Sequence, residues 1–232
     1  MPYFVYFGVH IFWHEFCRVF TFTFRAENCK IIRENQSLIL INHPTRKEVT
    51  PMMQDLSMHI IDIVQNSIKA GATLITIIVT ESPEEDLFAF SIEDNGKGMD
   101  RDTLRRVRDP FVTSRTTRKV GLGIPLLEQT CTMCEGSFNI ESTPGKGTKV
   151  TASMRYSNID RPPVGDLSGC IYMTIVTNPA IDFLFKYDFN DGEFVLDTRE
   201  VKKVLGGVPL DNPEVSLWIK DAINEGISFE RQ

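Results

Sequence analysis

The stretch Asp94-Asn95-Gly96-Lys97-Gly98-Met99 decides the fold of this 232-residue chain. It follows the alternating run 87–93, Leu-Phe-Ala-Phe-Ser-Ile-Glu, which predicts a strand with one buried face. Two glycines two positions apart, beside a carboxylate, predict a tight turn where a ligand meets the backbone closely. Taken alone, Asp-x-Gly-x-Gly is a weak signal, because most such strings are ordinary turns. Its weight comes from three further segments that surround it in a fixed order.

The first segment is an amphipathic helix predicted over residues 56–70 and ended by Gly71 in a left-handed cap. Asp62, Asn66 and Lys69 stand at i, i+4 and i+7, so they share one face of this helix. That face is either an ordinary solvated surface or a line of carboxylate, amide and ammonium groups facing a ligand. The apolar stripe of the helix has four members at helical spacing: Ile60, Ile61, Val64 and Ile68.

The second segment is a polar, basic loop, residues 109–123, that runs into a Gly-x-Gly turn and a helix with Pro125 in its first turn. Backbone amides at that helix start, together with the nearby basic side chains, predict an anion site. The third segment is Gly145-Lys146-Gly147-Thr148, between two strand-like runs. The basic side chains of the loop are Arg115, Arg118 and Lys119.

In this order the four segments resemble the four motifs of the GHKL ATPase superfamily, which includes gyrase, the large heat-shock chaperone, histidine kinases and MutL. The resemblance covers roughly residues 53–156. It implies an α+β fold, a two-layer α/β sandwich known as the Bergerat or histidine kinase-like ATPase fold, with ATP between helices and sheet. The loop and the last motif are most similar to histidine kinases, whereas Asn66-Ser67-x-x-Ala70-Gly71 looks more like MutL.

The resemblance also implies roles for individual residues. Asp94 would accept a hydrogen bond from the adenine amino group, supported by Thr148 directly or through water. Asn66 would hold Mg²⁺, a hard cation that prefers oxygen ligands. Further cofactor-binding candidates would contact the phosphates or bring the backbone close to the nucleotide: Lys69, Gly96, Gly98, Met99, Arg115, Arg118, Lys119, Gly121, Leu122 and Gly123.

Asp62 departs from the pattern of the hydrolysing members, in which a Glu stands four residues before the Asn and activates water. An Asp is one methylene shorter, and a displacement of about 1 Å matters in such sites. Asp62 therefore acts as the catalytic base of a slow ATPase, serves phosphoryl transfer instead, or only supports the Mg²⁺ shell.

Three functions follow. The first is a slow ATPase or ATP-dependent regulatory switch. The second is a stand-alone protein kinase similar to anti-sigma-factor kinases or histidine kinases, although residues 53–66 leave no room for the phospho-accepting helical hairpin that histidine kinases carry. The third is a module that senses nucleotide without turnover. In each case the expected ligands are ATP and Mg²⁺, and the expected partner is an unidentified protein.

The composition indicates which other partners and which cell compartment to expect. A net charge of −6 and a pI near 5.3 argue against nucleic acid. The five cysteines, an odd number without an export signal, predict a reducing cytoplasm. Cys131 and Cys134 share one face of a predicted helix, so redox chemistry is conceivable. Core packing is favoured over it, because this helix must bury a face on the sheet.

Residues 1–51 differ from the rest of the chain. The aromatic segment 3–24 contains His10, His14, Glu15 and Arg18, so it lacks the ~20 apolar residues of a membrane span, and no stable insertion is expected. Residues 47–52 can be encoded as a bacterial ribosome-binding site with a start codon at Met52. We therefore expect residues 1–51 to be a non-native or disordered leader, with a membrane-surface anchor as the alternative.

The remaining residues, 157–232, carry no chemical motif and are expected to form a small α+β extension for a protein partner or a homodimer. The sequence predicts a linker at 161–165, a buried strand or helix at 170–176 and a hairpin over 183–196. A helix is predicted from Asp211, with a stop at Gly226.

Overall fold

A computed structural model describes residues 29–34, 37–42, 55–108 and 123–230 of the protein. The chain divides into two compact units, residues 1–50 and 51–232. In the first unit, strands β1 (Cys29–Glu34) and β2 (Ser37–Asn42) pair as an antiparallel hairpin. The interpretation of residues 1–51 as a leader stays a prediction.

The second unit combines six strands and six helices within its described residues. In chain order they are α1 (Leu56–Lys69), β3 (Leu74–Ser82), β4 (Leu87–Asp94), α2 (Arg101–Arg108), α3 (Gly123–Met133), β5 (Ser137–Thr143), β6 (Gly147–Arg155), α4 (Leu167–Thr177), β7 (Asp182–Phe189), β8 (Gly192–Asp197), α5 (Thr198–Leu205) and α6 (Pro213–Glu230).

The six strands form one sheet in the order β5-β6-β4-β3-β7-β8. All neighbours are antiparallel except β3 and β7, which run parallel. The register aligns the buried positions of the strands: Ile77 lies opposite both Ile92 and Phe185, and Ile92 lies opposite Val150. Because side chains alternate along a strand, this register places a continuous apolar surface on one face of the sheet.

Helices cover that surface and make the second layer. α1 packs on β4, α3 on β5 and β6, and α6 on β7 and β8, while α4 lies between α1 and α6. The core between the layers includes fully buried Phe88, Ile77 and Ile60. The predicted α+β two-layer fold is therefore confirmed.

Residues beyond 157 continue this same sheet instead of forming a separate layer. β7 pairs along β3, and the predicted linker 161–165 returns to the start of α1. There, the amides of Leu56 and Ser57 donate to the carbonyl oxygens of Pro163 and Val164, each at 2.9 Å. These bonds satisfy donors that a helix start leaves unpaired.

The structure decides two local predictions. The apolar run at 170–176 belongs to a helix, α4. The predicted helix stop at Gly226 is wrong, because α6 continues to Glu230. Gly226 faces the Phe194 ring so closely that a Cβ would overlap it, and Ile227 beyond it is buried. Here tertiary packing overrides the weak helix propensity of glycine.

The two cysteines at the end of α3 are packed in the core. Cys131 and Cys134 are both 0% exposed and free. Burial raises the pKa of the Cys131 thiol to about 12, so almost no reactive thiolate forms at neutral pH. This environment supports the core-packing interpretation.

Cysteine labelling tests it. In the folded chain at pH 8, we expect iodoacetamide to modify Cys131 and Cys134 at least about 100-fold more slowly than in urea, because the thiols are buried and protonated. Half-buried Cys170 provides the internal reference, and peptide mass spectrometry reads each site separately. Rapid labelling of Cys131, or a Cys131–Cys134 disulfide formed without loss of structure, would favour redox chemistry.

No helix among the described residues has both the length and the apolar character that crossing a membrane requires.

Candidate nucleotide site

The carboxylate of Asp94, the last residue of β4, is buried and fixed at both oxygens. Its Oδ2 accepts a hydrogen bond of 2.6 Å from Ser67 Oγ on α1, and its Oδ1 accepts one of 2.9 Å from the Gly96 amide. Asp94 is 8% exposed and lines a cavity. A carboxylate held in this way presents its remaining lone pairs in one direction and can accept a hydrogen bond from a ligand.

The turn after Asp94 is tied to the end of α1 and to the start of β3. Asn95 Oδ1 accepts from the amides of Thr73 (2.8 Å) and Leu74 (3.0 Å). The Lys97 amide donates to the carbonyl oxygen of Ala70 at 3.1 Å. These bonds connect the two candidate motifs through the backbone, so the carboxylate and the helix keep a fixed relation.

The glycines of the motifs are required by contacts between chain segments. Gly98 has φ +62°, and a Cβ there would overlap the carbonyl oxygen of Thr143. Gly147 has φ +114°, and its Cβ would overlap the carbonyl oxygen of Asp94. A side chain at either position would push the β5–β6 turn away from the cavity.

A pair of hydroxyl groups connects the two strands of that turn beside Asp94. Thr148 lies opposite Asp94 in the β4–β6 register. Its Oγ1 is 2.9 Å from Ser142 Oγ, which also accepts a 2.8 Å bond from the Met99 amide. Sequence reasoning missed Ser67 and Ser142. The Asn-Ser pair at the end of α1 and the register partner of Thr148 were the signals that could have found them.

The cavity that these groups border has a volume of about 250 Å³. Apolar side chains make most of its wall, and a few polar groups converge on it, as is typical of small-molecule sites. Its mixed lining suits a heterocycle whose polar edge faces Asp94. The apolar lining includes Ile63, Ile92, Met99, Val107, Ile124, Ile140 and Val150, and the polar lining includes Asn66, Ser67, Lys69, Asp94, Lys97, Thr103 and Thr148.

The structure brings most predicted site residues of the described segments to this cavity, including Asn66, Lys69, Asp94, Gly98, Met99 and Thr148. Gly96 lies in the turn beneath Asp94, and buried Gly123 begins α3. Arg115, Arg118, Lys119, Gly121 and Leu122 lie outside the described residues. Their phosphate contacts therefore stay a prediction.

Asp62 lies one helical turn before Asn66 on α1. Its Oδ2 is buried without a hydrogen-bond partner among the described residues. Burial raises the pKa of this carboxyl above its ordinary value, and the charge of Lys69 opposes the shift. A desolvated, unpaired carboxylate oxygen costs stability, so it is unusual unless a site requires it.

The comparison with known proteins gives the family of one domain, which is a little under half of the chain. Residues 54–158 match the family model described as histidine kinase-, DNA gyrase B- and HSP90-like ATPase. The chain carries an ATPase domain of this family. Every described site residue named above lies within that match, and domains of this family bind ATP.

The relatives of this ATPase domain include sensor kinases. The sensor protein kinase FleS of Pseudomonas aeruginosa is 34% identical over 92 residues, which is 40% of this chain and 23% of the relative. The sensor histidine kinase WalK of Bacillus subtilis is 28% identical over 137 residues, 55% of this chain and 22% of the relative. This chain thus spans less than a quarter of either relative. The ATPase domain is of the histidine-kinase type.

Among solved structures, the MutL ATPase domain of Aquifex aeolicus complexed with ADP gives a TM-score of 0.41 at 14% identity. The superposition covers 66% of this chain and 70% of that one.

Removal of the Ser67 hydroxyl should loosen the Asp94 carboxylate without changing its charge. A hydrogen bond to a charged group is worth about 1.5–3 kcal/mol, so we expect Ser67→Ala to weaken ADP binding by roughly tenfold in calorimetry. Ser57→Ala is the matched control, because Ser57 is equally buried on α1 but bonds to Asp55 outside the cavity. Equal affinities for Ser67→Ala and the unmutated chain would contradict this role of Ser67.

Asp62 should reduce the stability of the ligand-free protein at neutral pH. The folded-state pKa is raised, so the folded form binds a proton more tightly than the unfolded form, and stability is lost as pH rises through that pKa. Asp62→Asn should therefore raise the melting temperature at pH 7–8, and the gain should disappear as the pH falls towards 4. A lower melting temperature for Asp62→Asn at pH 8 would show that the carboxylate is stabilising.

Proposed function

We propose that the protein binds Mg-ATP in this cavity and hydrolyses it slowly, using the nucleotide state as a regulatory switch. The observation that carries the proposal is the buried carboxylate oxygen of Asp62, which has no hydrogen-bond partner among the described residues. Asp62 stands one turn before the lining residue Asn66 on the same helical face, although it is not itself among the residues that line the cavity. The match to the ATPase family supports ATP as the ligand. The hydrogen bonds that fix Asp94 support adenine as the nucleobase that it recognises.

Adenine would enter the apolar part of the cavity, with its amino group donating to Asp94. Guanine carries a carbonyl oxygen at the same position, which would face the carboxylate without a donor. Such a site rejects the wrong base because both groups would be left unpaired. Thr148, paired with Ser142, would support the same edge of the base.

The phosphates would then extend past Asn66 and Lys69, towards the start of α3. Amides at the start of this helix and the Arg115, Arg118 and Lys119 side chains would meet their charge. The side chain of Asn66 has no hydrogen bond within the described residues, so its oxygen is available to a cation, and the orphaned Asp62 oxygen fits a hydrated ion nearby. Bound Mg²⁺ would neutralise phosphate charge; a hard ion of this kind keeps most of its water ligands.

In the proposed reaction, Asp62 accepts a proton from a water molecule as the water oxygen bonds to the γ-phosphorus. The bond from that phosphorus to the bridging oxygen breaks, and ADP leaves with the electron pair. A raised pKa makes Asp62 a better proton acceptor than an exposed Asp. Its short side chain limits its reach, so we expect turnover slower than with a Glu at this position.

A second candidate function is protein kinase activity, because the relatives named above are sensor kinases. In that reaction a hydroxyl or imidazole of a partner protein would replace water, and Asp62 would take its proton. We also propose a reducing bacterial cytoplasm as the setting, which the odd number of cysteines and the two buried free thiols support.

The fate of the γ-phosphate tests both candidates. The full chain is incubated with Mg²⁺ and γ-labelled ATP, and released phosphate and labelled protein are separated. We expect free phosphate to accumulate, Asp62→Asn to lower the rate by at least about 100-fold without loss of ATP binding, and Asn66→Ala to weaken both.

Gln65→Ala is the control for these variants, because Gln65 borders a groove between α1 and α4 and not the nucleotide cavity. Label that is neither released nor transferred, while ATP binds, would overturn the ATPase proposal. It would leave a kinase that lacks its substrate or a nucleotide-sensing module.

A further inference from the structure

Helix α6 presents an apolar and acidic face to solvent. Leu217 is 57% exposed and Trp218 is 53% exposed, although both are large hydrophobic residues. Glu214, Asp221 and Glu225 are exposed on the same helical face, and no ion pair engages them within the described residues. We name these five residues the α6 acidic face.

The fold of one chain keeps this face outward. The opposite side of α6 is fixed in the core by four buried residues at helical spacing: Val215, Ile219, Ile223 and Ile227. Rotation of the helix would therefore expose the core. Asp221 and Glu225 stand one turn apart and repel each other, and a cationic partner would relieve that repulsion.

Helix α2 has the complementary charge. It carries four arginines in eight residues, on a chain whose net charge is −6. Arg106 bonds to Thr103 and Arg108 pairs with Glu128, whereas exposed Arg101 and Arg105 have no carboxylate partner within the described residues.

The two helices lie at opposite ends of the second unit. α2 packs on α3, which covers β5 and β6, whereas α6 covers β7 and β8. β5 and β8 are the two edge strands of the sheet. The arginines of α2 are therefore remote from the α6 acidic face of the same chain.

We propose that the α6 acidic face binds the exposed arginines of α2 in a second copy of the chain. The spacing matches, since Arg101 and Arg105 are four residues apart, as are Asp221 and Glu225, and each pair spans about 6 Å along its helix. Arginine stems cover apolar surface, and a guanidinium stacks on an indole, so Leu217 and Trp218 are covered as the charges pair. The proposal goes beyond nucleotide chemistry and does not depend on it.

Such an interface is held by exposed ion pairs, so it is weak and sensitive to salt. The contact closes into a dimer if both helices of each copy take part, and otherwise it builds a larger assembly. In either case the average mass rises with protein concentration.

Sedimentation of the full chain tests the proposal by charge reversal. At about 100 μM protein, the average mass should exceed that of one chain in ~50 mM salt and fall towards it in ~500 mM salt, where screening shortens to a few ångströms. The double variant Arg101→Glu/Arg105→Glu should weaken association by at least about tenfold, and so should Asp221→Lys/Glu225→Lys, because like charges then face each other.

Rescue is the decisive comparison. The variant with all four substitutions restores opposite charges, so its association should return, and an equal mixture of the two double variants should form mixed assemblies. Glu84→Lys/Glu85→Lys is the control for Asp221→Lys/Glu225→Lys. It changes the net charge by the same amount, but in the exposed β3–β4 turn, so it should leave association unchanged. The variant sites are all exposed, and circular dichroism checks that each variant is folded.

A chain that stays monomeric in low salt would overturn the proposal, and so would association that neither double variant weakens. The proposal would also be overturned if the variant with all four substitutions did not regain association. None of these results bears on ATP turnover, so the proposed function stands or fails separately.

Discussion

The candidate nucleotide site depends on one constraint, the fixed orientation of the Asp94 carboxylate. Ser67 Oγ holds one oxygen at 2.6 Å and the Gly96 amide holds the other at 2.9 Å. Because Asp94 belongs to a central strand and Ser67 to α1, the Ser67 bond joins the two layers of the fold at the cavity. A buried carboxylate is costly unless it is hydrogen-bonded, so the surrounding structure has little freedom to move. Gly98 and Gly147 are required at this site because a side chain at either position would keep the β5–β6 turn away from Asp94.

Helix α1 combines two opposing demands. One side of it is packed in the core, with Leu56, Ile60 and Val64 fully buried, and this packing stabilises the fold. Another side holds Asp62 Oδ2 buried without a hydrogen-bond partner among the described residues, and we expect this to reduce the stability of the ligand-free protein. Such a cost is characteristic of sites where a group is held ready for chemistry. The segment after β6 stabilises the start of α1, because the carbonyl oxygens of residues 163 and 164 accept hydrogen bonds from the first amides of the helix.

Much of the fold could be predicted from local patterns. The alternation before Asp94 and the apolar stripe of α1 gave the strand and the helix, and the two-layer α+β architecture followed. The parallel pairing of β3 with β7 could not be predicted, because it joins strands far apart in sequence and nothing local specifies the partner. The end of α6 was missed because its cause is the ring of Phe194, a tertiary contact.

The candidate site shows the same division. Asn66, Asp94 and Thr148 were found because each lies in a motif, and the structure places them around one cavity. Ser67 and Ser142 were missed because a hydroxyl group beside a motif residue is a weak signal, and its importance becomes clear only through the bonds that it makes. The unpaired oxygen of Asp62 is likewise a property of packing, so the sequence could name the residue but not its environment.

The most direct test of this account compares the binding of ADP and GDP to the full chain, with and without Asp94→Asn. If Asp94 selects the base, ADP binds at least about 100-fold more tightly than GDP, and Asp94→Asn removes most of that preference. Equal binding of the two nucleotides, or a preference for ADP that survives Asp94→Asn, would contradict the central role given to this carboxylate.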